Sequence, residues 1–283
     1  MAFVTLDGIA TRYEIVGDGP PLLMFSPGGF DATVEKWTTL GIYARTRMLD
    51  ALRNHYRLIL FDRRECGQSG GRIERVTWMH YAAQAKALLD DLRIDRAHLM
   101  GGCMGCAPVV AFAVAYSQAV RSMVLYWPVG GARYRITGQQ RFAEHLAFVD
   151  EQGLDAVVAI ARSEGKPFGA EPRGGSWASV IRNDPDFAEA FAKQEVDRYK
   201  LAVAGMGRAL LDRDTAPGAE SEDLLRLSIP SLVIPGHDPS HATSAARYLE
   251  ECLPGSQYWD VSPEAQTADN VPPRLLDFLA SVS

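Results

Sequence analysis

The strongest chemical signal in this chain is at Cys103, a thiol with Gly101 two residues before it and Gly105 two residues after. Arg96 to Met100 reads as a short apolar strand and Ala107 to Tyr116 as an apolar, alanine-rich helix, so the thiol falls on a sharp strand-to-helix turn. Such a turn forces its central residue into strained backbone geometry, and glycines on either side remove side chains that would collide. A thiol at a helix N-terminus feels the positive end of the peptide dipoles, which favours the thiolate and lowers its pKa below the free value of about 8.5. Cys103 is therefore the expected nucleophile. The competing account is a small buried cysteine that only packs the turn.

An acid and a base follow downstream. The apolar strand ending at Ile234 runs into Pro235-Gly236-His237-Asp238, which places a carboxylate just past a strand end. Asp238-Pro239 also reads as a helix N-cap with proline at the first helical position, a role compatible with catalysis. His241 is the nearest base in sequence, at the start of the next helix, and no histidine follows it. The alternative for His241 is a surface histidine near a helix N-terminus, where the cation is disfavoured. His237 and His145 are lesser candidates.

These residues need a scaffold, and the pattern supplies one. Phe3 to Leu6 and Ala10 to Val16 read as a strand pair turned by Asp7-Gly8. Apolar strands at Leu22 to Phe25, Leu58 to Phe61, His98 to Met100, Ser122 to Tyr126 and Leu232 to Ile234 then alternate with helices near Tyr43 to Arg53, Tyr81 to Leu92 and Ala107 to Tyr116. A helix over Thr243 to Cys252, a strand over Gln257 to Val261 and a helix over Pro273 to Val282 complete the chain. This alternation predicts an α/β protein with a mostly parallel central sheet and helices on both faces. Sites in such sheets form at the carboxyl ends of the strands, where Cys103, Asp238 and the loop at Gly28 would converge. Residues 128–227 show no clear strand, and Gly130-Gly131, Gly165-Lys166-Pro167, Gly174-Gly175 and Ala216-Pro217-Gly218 punctuate helical patterns. The expected organisation is a core domain of residues 1–127 and 228–283 with a helical insertion over 128–227.

Four segments resemble the α/β-hydrolase family in order and spacing. Gly101-Gly102-Cys103-Met104-Gly105 resembles its nucleophile elbow G-x-S-x-G, with cysteine in place of serine. Pro20 to Gly29 is similar to the third strand and oxyanion loop, with Ser26-Pro27 in place of the usual H-G. Arg57 to Ser69 is similar to the next strand and the D-x-R-G-x-G-x-S loop, with Glu65 in place of the first glycine, and Ile229 to Asp238 is similar to the late strand that ends in the catalytic acid. The resemblance covers nearly the whole chain except its middle, which it marks as a helical cap. It implies an oxyanion hole formed by the backbone N–H groups of Gly28 and Met104, each donor worth about 3 kcal/mol. The family histidine normally lies after the last strand, where this chain has Gln266. An amide takes no proton, so Gln266 is expected to position water or substrate, and His241 to be a relocated base. A serine would be disabled by that change, whereas a cysteine is already a few per cent thiolate near neutral pH.

Trp127, Tyr134, Phe142, Phe148 and Trp177 are candidates to line an apolar substrate pocket, with Arg133, Arg135 and Arg141 to meet a carboxylate, although most such residues pack cores or face solvent. Cys103-Met104-Gly105-Cys106 is also a C-x-x-C sequence opening a helix, the signature of a thiol redox protein, and no second ligand pair accompanies it for a metal.

A chain of 283 residues, 47% hydrophobic and 23% charged, buries a sizeable core. Its net charge of −6 argues against nucleic acid. No basic segment followed by an apolar run opens the sequence, and no apolar stretch approaches the roughly 20 residues that span a bilayer, so a soluble cytoplasmic protein without a membrane partner is expected. The four scattered cysteines suit free thiols in a reducing compartment. The expected activity needs no cofactor and no metal: hydrolysis of a small-molecule ester, lactone or thioester through a cysteinyl acyl-enzyme. An esterase, lactonase or thioesterase lacking an assured general acid favours good leaving groups over amines. The alternatives are a non-hydrolytic ligand-binding protein, or an acyltransferase or lyase on the same fold. A homodimer is the expected form of any self-association.

Overall fold

A computed structural model describes residues 1–282. In chain order the elements are β1 (Ala2–Leu6), β2 (Ile9–Val16), β3 (Pro21–Phe25), α1 (Lys36–Thr39), α2 (Gly41–Thr46), α3 (Met48–Leu52), β4 (Arg57–Phe61), α4 (Trp78–Asp91), β5 (Ala97–Gly102), α5 (Cys106–Ala115) and β6 (Val120–Tyr126). There follow α6 (Ala132–Glu164), α7 (Ala178–Asn183), α8 (Pro185–Ala192), α9 (Val196–Leu210), α10 (Ser221–Leu224), β7 (Ser231–Ile234), α11 (Thr243–Cys252), β8 (Ser256–Tyr258) and α12 (Val271–Ser281). The strands form one sheet in the order β1-β2-β4-β3-β5-β6-β7-β8. Pairs β1–β2 and β2–β4 are antiparallel and the rest are parallel. The β1–β2 hairpin turns on Asp7 and Gly8, which both take positive φ, the geometry that matches the twist of a two-residue hairpin.

The strands read as continuous apolar runs because both sheet faces are covered. Within each strand the side chains alternate between two cores. Leu22, Met24, Leu58, Leu60, Val124 and Ile234 face the side covered by α2, α3 and α12. Leu23, Phe25, Ile59, Phe61, Leu125 and Val233 face α4, α5 and α11. This is the doubly covered, mostly parallel α/β sheet the sequence predicts.

Helices α6 to α10 lie between β6 and β7 and add no strand to the sheet. They rest on the loops that follow β3 and β4: the Phe30 ring packs on Phe142 and Phe168 at 5.6 and 5.1 Å, Trp177 Nε1 donates to Arg72 O at 3.0 Å, and Asn183 Nδ2 donates to Gly67 O at 2.7 Å. Among the described residues no helix is long and apolar enough to cross a membrane.

Two local expectations, for a helix and for the last strand, are corrected, and α6 carries a break. The single helix over Tyr43 to Arg53 is two, because Arg47 takes a left-handed φ of 50° between α2 and α3. The α6 span is broken at Gly153, whose φ of 75° and ψ of 178° interrupt the helix where glycine loses no side-chain freedom. The last strand ends at Tyr258 rather than Val261, since its partner β7 is only four residues long.

Candidate active site

Strand β5 delivers Cys103 into a single 3-10 turn that leads to α5. Cys103 has a φ of 54°, a left-handed conformation that costs a non-glycine residue energy and is retained where the surroundings enforce it. The neighbouring glycines are what make the turn feasible. A Cβ at Gly105 would lie 2.3 Å from Phe25 O, and one at Gly101 would lie 2.6 Å from Gly105 O. The half-buried Cys103 sulfur faces the backbone N–H groups of Met104 and Gly28.

The Gly28 loop is built from below by the loop after β4. Asp62, fully buried, accepts from Val34 N and Gln68 N, both at 2.8 Å, and pairs with Arg12 at 3.3 Å. Arg63 N donates to Ala32 O at 3.1 Å, Arg63 Nη2 to Gly29 O at 2.7 Å, and Cys66 Sγ to Phe30 O at 3.3 Å. Glu65, at the position where the resembling motif carries glycine, has a φ of 67°, as a glycine there would. Its buried carboxylate is held by Arg64 Nε at 2.7 Å.

The acid–base arm follows β7. Asp238 closes its own turn, accepting from Ser240 N at 2.8 Å on Oδ1 and from His241 N at 3.1 Å on its carbonyl. It is not the N-cap of α11, which begins at Thr243 with Ala242 in the cap position, so the Asp238-Pro239 capping expectation is corrected. His241 therefore sits in the turn before the helix. Its Nδ1 lies 2.8 Å from Asp238 Oδ2; an ionised carboxylate only accepts, so Nδ1 is the donor and Nε2 is free for the other side. Nε2 is buried, has no nitrogen or oxygen partner, and faces the Cys103 sulfur.

The electrostatics of the three groups are mutual. Burial pushes the Cys103 thiol up, but His241 and the Met104 and Gly28 amides together pull it below its ordinary value. Burial pushes the His241 imidazole down, but the Cys103 thiolate and Asp238 overcome it and raise the pKa to about 10. The hydrogen bond from His241 takes Asp238 down to about 2. These opposite shifts favour the charged forms of Cys103 and His241 over the neutral pair, with the Asp238 carboxylate behind the imidazole. The repulsion of a cation by the helix N-terminus, about 0.3–1 kcal/mol at an exposed site, is outweighed by two adjacent anions.

Gln266 and Trp127 hold the arm in place. Trp127, with a φ of 54° at the end of β6, sets its ring against the His241 ring at 5.4 Å. Trp127 Nε1 donates to Gln266 Oε1 at 2.8 Å, while Gln266 Nε2 donates to Pro235 O at 3.0 Å and Val261 O at 3.2 Å. Gln266 is fully buried, with its polar atoms engaged by the protein. The expectation that Gln266 positions water or substrate is corrected: its amide oxygen and nitrogen are already bonded to Trp127, Pro235 and Val261, and it anchors Trp127 behind the imidazole.

Other candidates are placed elsewhere. His237 is exposed and bonds Thr243 Oγ1 at 3.0 Å. His145 is buried in the helical insertion against Tyr199 Oη at 2.6 Å, its pKa pushed down to about 4 by burial. Cys106 is buried, burial raises its pKa, and its thiol points to Gly101 O at 3.2 Å; all four cysteines are free. The redox reading thus has its second thiol turned into the sheet. Trp177 packs on Phe191 and Tyr199, and Arg135 pairs with Asp214 at 2.6 Å.

Residues 21–264 match the profile of the alpha/beta hydrolase fold family. This chain belongs to the α/β-hydrolase fold family. The 3-oxoadipate enol-lactonase 1 of Acinetobacter baylyi is 26% identical over 212 residues, covering 74% of this chain and 71% of that protein. The dihydrolipoyllysine-residue acetyltransferase component of the acetoin cleaving system of Cupriavidus necator is 30% identical over 128 residues, or 45% of this chain; the match spans only 32% of that protein's length. Among solved structures, the enol-lactonase from Burkholderia xenovorans LB400 superposes with a TM-score of 0.62 at 19% identity, covering 99% of this chain and 100% of that one, a likeness of fold.

Within this α/β-hydrolase, the sequence reading overlooked Arg63 and the anchoring use of Trp127 and Gln266. The signal for Arg63 was present: Arg63-Arg64-Glu65 follows a buried strand directly, and charges there require partners. For Gln266 no local pattern exists, since two of its three partners, Trp127 and Pro235, come from distant segments.

Proposed function

We propose that this chain is a cysteine-dependent acyl hydrolase acting on a small-molecule ester, lactone or thioester. The observation that carries this reading is His241, with Nδ1 on the Asp238 carboxylate and Nε2 turned to the Cys103 sulfur. The Cys103 thiolate attacks the substrate carbonyl carbon, and the carbonyl π electrons move to oxygen, where the N–H groups of Gly28 and Met104 receive them. The intermediate collapses, the leaving group departs with the proton from His241 Nε2, and a thioester remains on Cys103. Neutral His241 then takes a proton from water as its oxygen attacks the thioester. Expulsion of the thiolate releases the acid and restores the charged pair.

With His241 as general acid, protonation of the leaving group has an assigned source, which the sequence alone left open. Support for the reaction class comes from the enol-lactonase relative, whose named activity also opens an acyl–oxygen bond. An imidazole facing the Cys103 sulfur favours turnover over the alternative of a reversible ligand-binding protein, which rested on a missing base. The test is intact-mass analysis after brief exposure to p-nitrophenyl and thioester acyl donors. A mass increase equal to the acyl group in the wild type, absent in Cys103→Ala, is the expected result. Equal turnover by Cys103→Ala with an unchanged circular dichroism spectrum overturns it.

A further inference from the structure

Behind the Gly28 loop, against the Cys66 sulfur at 3.6 Å, lies a cationic group that the acyl-transfer steps leave unused. Arg63 is only 4% exposed, and its Nη2 bonds Gly29 O at 2.7 Å, next to the oxyanion amide of Gly28. Its guanidinium stacks on the Tyr81 ring at 4.2 Å, yet Nε and Nη1 have no partner. The nearby Glu65 carboxylate spends Oε1 on Arg64 and leaves Arg63 without an ion pair. Leaving a buried donor unsatisfied costs about 1–3 kcal/mol, and more for a charged group, so an occupant for these donors is expected. Tyr134 supplies the second half. Its hydroxyl is buried and also without a partner, and the ionisable groups around it are Cys103, Arg63, Tyr81 and Arg141. Arg141 lies seven residues, two turns of α6, beyond Tyr134 and so on the same helix face; it is half-buried and no carboxylate of the described residues pairs with it.

We propose that the substrate carries a carboxylate, held by the unpartnered donors of Arg63 together with Arg141 and the Tyr134 hydroxyl while its acyl carbonyl lies at Cys103. This rests on the acyl-hydrolase reading for the reaction but not for the anion site. It moves the anion-binding role from Arg133, which is exposed, and Arg135, which is paired with Asp214, to a pair that shares the Tyr134 phenol. A water bridging Arg63 to the unpartnered Glu65 Oε2 is the rival occupant, and it gives no discrimination between charged and neutral acyl chains.

The experiment compares p-nitrophenyl hemisuccinate, hemiglutarate and hemiadipate with the p-nitrophenyl esters of the unbranched monoacids of equal length. The wild type should prefer at least one charged ester by about tenfold or more in kcat/KM, and that preference should shrink about tenfold in Arg141→Met and several-fold in Tyr134→Phe. These positions are chosen because Arg63 also braces the oxyanion loop and its replacement could unfold the site. In parallel, free succinate, glutarate and adipate should slow iodoacetamide alkylation of Cys103 in the wild type, and less so in Arg141→Met. No charged preference and no protection overturn the anion site, even if both ester series acylate Cys103. Protection without acylation by any ester overturns the acyl-transfer reading and keeps the anion site.

Discussion

The elbow at Cys103 and the arm at His241 reach the same point by different physics. At the elbow, backbone atoms set the geometry: Gly101 and Gly105 are there because a Cβ would strike Gly105 O or Phe25 O, and no choice of rotamer relieves either clash. At the arm, side chains set it: Asp238, Trp127 and Gln266, drawn from three segments, aim one imidazole. Under the proposed function, a backbone-defined nucleophile position is served by a base that depends on side-chain support built behind it.

The largest expected effect lies on the arm. His241→Ala should lower kcat/KM by about 10²–10⁴-fold, the usual worth of a positioned acid–base group, and move the alkylation profile of Cys103 to higher pH because the partner that lowers its pKa is gone. An unchanged alkylation profile would break the comparison, since the thiol would then owe its reactivity to the elbow alone. At the elbow, Gly105→Ala should lower unfolding stability by roughly 2–4 kcal/mol in urea titration, because its Cβ meets a carbonyl oxygen of the central sheet rather than a movable side chain.

Asp238→Asn should lower kcat/KM about 10–100-fold by removing a charge-assisted hydrogen bond. It also carries a pH signature. The proton on His241 is retained until about pH 10, so wild-type activity should fall on the alkaline side near that value; without the carboxylate that helps raise the imidazole, the fall moves to lower pH. On the acid side, activity is lost as the thiolate is protonated, below the ordinary thiol value because the Cys103 pKa is lowered. A pH–rate profile of both proteins checks each limb.

The smallest effect sharpens the contrast most. Gln266→Leu leaves Trp127 Nε1 and the carbonyls of Pro235 and Val261 without their partner and should lower stability by about 1–3 kcal/mol in thermal or urea unfolding. The double variant His241→Ala with Gln266→His should not regain activity, because position 266 is fully enclosed. Recovery to within tenfold of the wild type would show that the old histidine position still reaches the thiol.

The sheet and the elbow were legible in the sequence because both are written in short-range terms. Runs such as Leu22 to Phe25 and Leu58 to Phe61 state that both faces are covered, and glycines two residues either side of Cys103 state that the turn is tight. The exchange of roles between Gln266 and His241 was only half legible. The absence of a histidine after position 241 pointed to His241 as the base of the proposed reaction, but a buried, bonded amide and a solvent-facing amide look the same in a string of letters.

By itself, then, the sequence determined the architecture and the tight turn that carries Cys103, since period-two burial and steric exclusion act between residues close along the chain, while the facing amides of Gly28 and Met104 were implied only by the family resemblance. Only the tertiary structure decided which imidazole meets the sulfur and what holds it there. That choice depends on β6 lying between β5 and β7, so that Trp127 emerges beside both Cys103 and the Asp238–His241 turn. It also depends on burial, whose effects on Cys103, His241 and Asp238 arise only once all three share one low-dielectric space.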